Sequence, residues 1–94
     1  MQDKELKEIV FKHFPPSKYK VYLFGSRASG TNQPFSDYDI GVLGKRKISL
    51  SALSEIAEEL DNSDIPYKVD IVDLKPASAE FRKAALENAI LWNK

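Results

Sequence analysis

The sequence predicts an α/β (α+β) fold: one domain over residues 1–94, with a small mixed β-sheet flanked by helices in the order α-β-β-α-β-α. Three observations carry that expectation. Apolar residues recur at helical spacing in three segments. Between them lie three short runs rich in β-branched and aromatic residues, the side chains that fit a pleated surface. One helical segment separates the second run from the third, as a crossover between two parallel neighbouring strands requires.

The elements follow in order. Residues 2–14 place Leu6, Ile9, Val10 and the His13/Phe14 pair on one helical face with charges opposite. Pro15-Pro16 stops that helix, because proline offers no N–H and its ring clashes with the preceding turn. His13, at the helix end, is explained by the C-terminal dipole and needs no catalytic role. Residues 19–24 read as a strand ending at Gly25, and residues 38–43 as a second. Between 49 and 60, Leu50, Leu53, Ile56, Ala57 and Leu60 recur on a helical face behind Ser49, whose hydroxyl suits an N-cap. The Asp61-Asn62-Ser63-Asp64 cluster ends this helix.

Residues 67–73 make the third strand. Pro76, with its fixed φ, suits a first helical position and opens a final helix to about residue 92, in which Phe81, Ala85 and Trp92 are expected in the core. The stretch Ala89-Ile90-Leu91-Trp92 is apolar on every side and is a candidate docking patch for another protein. Lys45-Arg46-Lys47, after Gly44, reads most simply as a solvated turn, with a grip on an acidic partner or RNA as the other reading.

Composition removes several classes of function. Ninety-four residues leave no room for a catalytic domain plus a separate substrate-binding domain. Fourteen basic and 14 acidic residues cancel, so no global field draws the chain to nucleic acid or an anionic membrane, and such a partner would have to be met locally. The absence of cysteine excludes a disulfide scaffold, a thiolate zinc site and a cysteine nucleophile. No apolar run approaches the roughly 18–20 residues that span a bilayer, and the charged start is no signal peptide. A soluble cytoplasmic domain without membrane or nucleic-acid partners is expected.

The chemistry concentrates between Gly25 and Asp70. Strand alternation puts Asp37, Asp39 and Gly41 on one face and Tyr38, Ile40 and Val42 on the other. Two adjacent carboxylates repel unless a cation lies between them or water screens them, and hard oxygen ligands of this kind suit Mg²⁺ or Mn²⁺. Asp70 is the candidate third carboxylate, since it interrupts the apolar run of the neighbouring strand, where a lone charge is costly. Asp73 is its rival, but at the strand end loop chemistry accounts for it. The turn before the pair suits a phosphate: Gly25 allows close backbone approach, Ser26 offers a hydroxyl and Arg27 a charged fork. Metal carboxylates beside an anion cradle point to phosphoryl or nucleotidyl transfer.

Gly25-Ser26, ten residues, then Asp37-Tyr38-Asp39, with Asp70 following, resembles the signature of the polymerase-β-like nucleotidyltransferase superfamily. The short length resembles its minimal nucleotidyltransferase (MNT) subfamily, although Ser29 stands where the subfamily's loop often carries a second arginine. The resemblance implies that Asp37, Asp39 and Asp70 are catalytic and hold two Mg²⁺ ions, with Asp70 also helping to activate the acceptor hydroxyl. It implies that Gly25, Ser26 and Arg27 bind the nucleotide, ATP. It further implies an antitoxin that moves AMP from ATP onto a tyrosine of a cognate HEPN-domain toxin, typically an RNase, and releases pyrophosphate. Two other readings stand beside it: a non-catalytic antitoxin that masks the toxin by stoichiometric binding, and a nucleotidyltransferase acting on a small molecule or RNA.

Overall fold

The computed structural model describes residues 2–25 and 37–93. Helix α1 (Gln2–His13) precedes strands β1 (Lys20–Phe24) and β2 (Tyr38–Leu43); helix α2 (Leu50–Asp61), strand β3 (Val69–Asp73), helix α3 (Ala79–Leu86) and strand β4 (Ile90–Leu91) follow. The sheet order is β3-β2-β1-β4. The β1–β2 and β1–β4 pairs are antiparallel, while β2 and β3 run parallel across the α2 crossover, as the sequence predicts.

Register sorts the side chains onto two faces. Val21 pairs with Val42 and Leu23 with Ile40. These residues and Tyr38 form the apolar face, buried together with Leu6, Val10 and Phe14 of the first helical segment and Ile56 of α2. Burying each such side chain fully contributes about 1.5–3 kcal/mol, which makes this layer the main source of stability. Polar links hold α1 to α2 at its rim, since Glu59 accepts from Lys12 Nζ at 2.5 Å and pairs with His13 Nε2 at 2.8 Å. His13 is therefore tied to a neighbouring helix as well as placed at a helix end. On α2, Ser49 caps the first turn through the Ala52 N–H at 3.1 Å. The buried stripe centres on Leu53, Ile56 and Leu60, whereas Leu50 is 79% exposed and Ala57 is exposed as well.

The opposite face carries Phe24 beside Asp39 and Tyr22 beside Gly41, with Asp70 and Val72 continuing these rows on β3. Gly41 leaves the space that the fully buried Leu74 fills: a Cβ there would lie 2.7 Å from Leu74 Cδ1.

The chain's last segment differs from the sequence expectation. Pro76 sits in a turn, and the helix starts at Ala79 behind Ser78, whose Oγ accepts from the Phe81 N–H at 3.0 Å. It ends at Leu86, and residues Ile90–Leu91 join the sheet edge as a fourth strand opposite Leu23 and Tyr22. Backbone satisfaction explains the switch, because the outer edge of β1 would otherwise be left without partners. Trp92 N–H donates to Val21 O at 2.8 Å. The Asn93 side chain accepts from Val21 N–H at 2.7 Å and donates to Tyr19 O at 2.6 Å and Pro16 O at 3.1 Å. Trp92 is buried as expected but from the strand end, while Phe81 is 44% exposed rather than in the core. The third strand likewise starts at Val69 rather than 67; Tyr67 lies before it, buried, with its ring stacked 4.3 Å from that of Tyr38. Among the described residues no helix is long and apolar enough to cross a membrane.

Candidate active site

The sheet builds an acidic cluster where β1 ends and β2 and β3 begin. Asp39 is the second residue of β2 and Asp70 the second of β3, and parallel pairing sets them directly opposite each other. Asp37 precedes β2 and is exposed, Asp39 is half-buried, and the Asp70 side chain is 45% exposed. From the other side Phe24 pairs with Asp39 and leads into Gly25, whose φ is +78°. A Cβ on Gly25 would overlap Asp39 Oδ2 and lie 3.2 Å from its Cγ, so the turn's backbone runs against that carboxylate.

These surroundings disfavour charge on Asp39. Burial pushes its carboxyl above the ordinary range, and the charges of Asp70 and then Asp37 push it further the same way. Among the described residues Lys68 is a cation close to the cluster, its Nζ 3.8 Å from Asp70 Oδ1 at an exposed site. Sequence reasoning missed Lys68; its place two residues before Asp70 on the same strand line was the available signal. Asp73 is committed elsewhere: it accepts from the Ile48 N–H at 2.7 Å and the Lys75 N–H at 3.1 Å, fastening the β3 exit to the segment before α2.

The structure thus brings Asp39 together with Asp70 and Gly25, with Asp37 near enough to act on Asp39. Ser26 and Arg27 lie outside the described residues. Among those described, no three acidic or imidazole side chains close into a ready cage for a metal ion. The donor set nevertheless fits a hard divalent cation, since it consists of carboxylate oxygens whose mutual repulsion such an ion would relieve.

A mixed sheet that presents carboxylates from two parallel strands beside a glycine turn is the arrangement of a nucleotidyl-transferring domain. The chain belongs to the family described as "Polymerase beta, Nucleotidyltransferase", whose pattern matches residues 4–94.

Within that family, it is 40% identical over 78 residues to the protein adenylyltransferase MntA of Shewanella oneidensis, covering 82% of this chain and 55% of that protein. The chain spans 55–57% of the length of the curated relatives it matches. Among solved structures it resembles a chain of a toxin-antitoxin crystal structure with AMP-PNP, with a TM-score of 0.79 and 27% identity over all of this chain and 75% of that one. It also resembles a chain of the complex between tri-AMPylated Shewanella oneidensis HEPN toxin and MNT antitoxin, with a TM-score of 0.72 and 26% identity over all of this chain and 74% of that one.

Proposed function

We propose that this chain is a protein adenylyltransferase that acts as an antitoxin in the cytoplasm, moving AMP from ATP to a tyrosine of a cognate HEPN-domain toxin. The observation that carries the reading is the register of Asp39 opposite Asp70 on parallel strands, with the Gly25 turn against Asp39. The names of the similar proteins, an adenylyltransferase and an antitoxin bound to an AMPylated toxin, point the same way.

In this reading Asp37, Asp39 and Asp70 would hold Mg²⁺, two ions in the full site. Such metal would supply charge neutralisation for the triphosphate and for the carboxylates themselves. Gly25 keeps the phosphate side of the site free of a side chain, while Ser26 and Arg27 supply a hydroxyl and a guanidinium to phosphate oxygens. Asp70 takes the proton of the tyrosine hydroxyl as its oxygen bonds to the α-phosphorus. The bond from that phosphorus to the bridging oxygen breaks in the same displacement, and pyrophosphate leaves with the electron pair.

The test is incubation of the chain with a HEPN-domain protein from the same genome, ATP and Mg²⁺, followed by mass measurement of that protein. One AMP per modified tyrosine is expected with wild type and none with Asp39→Ala. No gain with wild type, or an undiminished gain with the variant, overturns the proposal. Protection from the toxin that survives Asp37→Ala plus Asp39→Ala would identify stoichiometric masking instead.

A further inference from the structure

We propose that a basic groove at the far end of the sheet from Asp39 binds the phosphate backbone of a single-stranded nucleic acid, a site separate from the transfer centre. Two adjoining depressions share Lys18, Tyr19 and Lys45; Arg46 and Lys47 extend the first and Lys20 the second. They open beyond Leu43, at the exit of β2, whereas Asp39 lies near its start. At about 3.3 Å per strand residue the two sites stand roughly 15–20 Å apart.

The five cations are exposed. Among the described residues no acid lines either depression. Among the described residues the ion pairs involve Lys12, His13 and Lys68, and none of the groove's cations. Asp73 is close by, through Ile48, where the Ile48 and Lys75 N–H groups hold its carboxylate, and its charge offsets one of the five. In a chain whose basic and acidic residues balance, this is a strong local excess of positive charge. The N-terminus of α2 abuts it through Ser49 and carries no acid in its first turn, so the helix dipole adds to the same field.

The lining favours phosphates over an acidic protein surface. Protein interfaces are anchored by buried aromatic and apolar side chains. No large exposed apolar residue lines these depressions, and Ile48 is only 4% exposed. Lysines are point charges suited to an irregular run of phosphates. The aromatic ring among them, Tyr19, is half-buried and held edge-on to Phe14 at 5.3 Å. That ring also packs over Gly44, so the cations, which can track a phosphate backbone without reading its sequence, carry the proposal.

The test is fluorescence polarisation of a labelled deoxythymidine oligomer of about 12 nucleotides, titrated with the whole chain. With five phosphates neutralised, the log–log salt slope is about −3.5, so affinity falls about 100-fold between roughly 50 and 200 mM salt. Lys45→Gln/Arg46→Gln/Lys47→Gln leaves two cations, lowers the slope to about −1.4 and the loss to about 7-fold. Lys18→Gln/Lys20→Gln gives an intermediate slope, while Asp39→Asn leaves the slope unchanged. Absence of binding at the lowest salt, or an unaltered slope in both groove variants, overturns the proposal. So does poly-glutamate competing as well as the oligomer at equal charge, which would reassign the groove to an acidic protein.

Discussion

Replacing Gly25 by alanine strikes the site through two separable physical effects. The first is conformational, because a φ of +78° is left-handed backbone, where a residue with a Cβ loses about 1–2 kcal/mol. The second is steric, because the new methyl overlaps Asp39 Oδ2 and must push that carboxylate or the turn aside; such overpacking costs about 1–3 kcal/mol. Together they amount to about 2–5 kcal/mol, and in a domain of this size each kcal/mol lowers Tm by about 4–8 °C. Asp39→Ala removes the obstructing carboxylate, so in that background Gly25→Ala loses only the conformational part. A thermal-melt double-mutant cycle therefore yields a coupling of about 1–3 kcal/mol between positions 25 and 39. The proposed AMP transfer falls further in Gly25→Ala than stability does, since a displacement of about 1 Å at a reacting centre costs about 100-fold in rate. Equal stability loss in both backgrounds, or a variant that melts with wild type, refutes the claim that this turn is packed against the carboxylate.

Three further outcomes are expected. Asp39→Asn is more stable than wild type at pH 7 without divalent cations. Because the Asp39 carboxyl is raised, its stabilising contribution is present below the unfolded carboxylate pKa and is lost as pH rises through the folded one; a melt of the variant at or below wild type, or equal Mg²⁺ stabilisation of both, contradicts this. Glu59 behaves oppositely: the hydrogen bond from Lys12, and next that with His13, hold its carboxyl below the ordinary value of 4.5. Its contribution is present above the unfolded pKa and lost as pH falls through the folded one, so Glu59→Gln should flatten the acid limb of urea midpoints, and a limb as steep as wild type would disprove the linkage. Asn93→Ala strips Val21 N–H of its acceptor at the sheet edge, which costs about 1–3 kcal/mol; hydrogen exchange at Val21 as slow as in wild type would show that the contact does not hold the edge.

The sequence made the site's framework legible because it follows from strand periodicity and crossover topology. Alternation placed Asp37 and Asp39 on the face away from Ile40, and the α2 crossover made β2 and β3 parallel neighbours, with Asp70 opposite Asp39. Loop chemistry accounts for Asp73 as expected, since a carboxylate at a strand end finds backbone donors nearby. The last 19 residues were harder. Pro76 looked like a helix start, yet Ser78 is the cap, two residues on. Beyond Leu86 no glycine or proline interrupts the pattern, and the local stop signal is the weaker one of Asn88, just past the Glu87 C-cap. What turns the chain after it into a strand is the outer edge of β1, a distant partner invisible to local pattern. Lys68 and the Gly25–Asp39 contact were missed because they depend on side-chain distances across elements.

The pairing of Asp39 with Asp70 has a consequence for how the site can fail. Sliding β3 by a single residue would turn Asp70 toward Tyr38 and Ile40, putting a charge into the oily layer, and would present Val69 or Ile71 in its stead. A fold with β3 out of register is therefore no stable alternative. The spacing of Asp39 and Asp70 comes with backbone registry, and molecules that fold at all fold with that pair face to face.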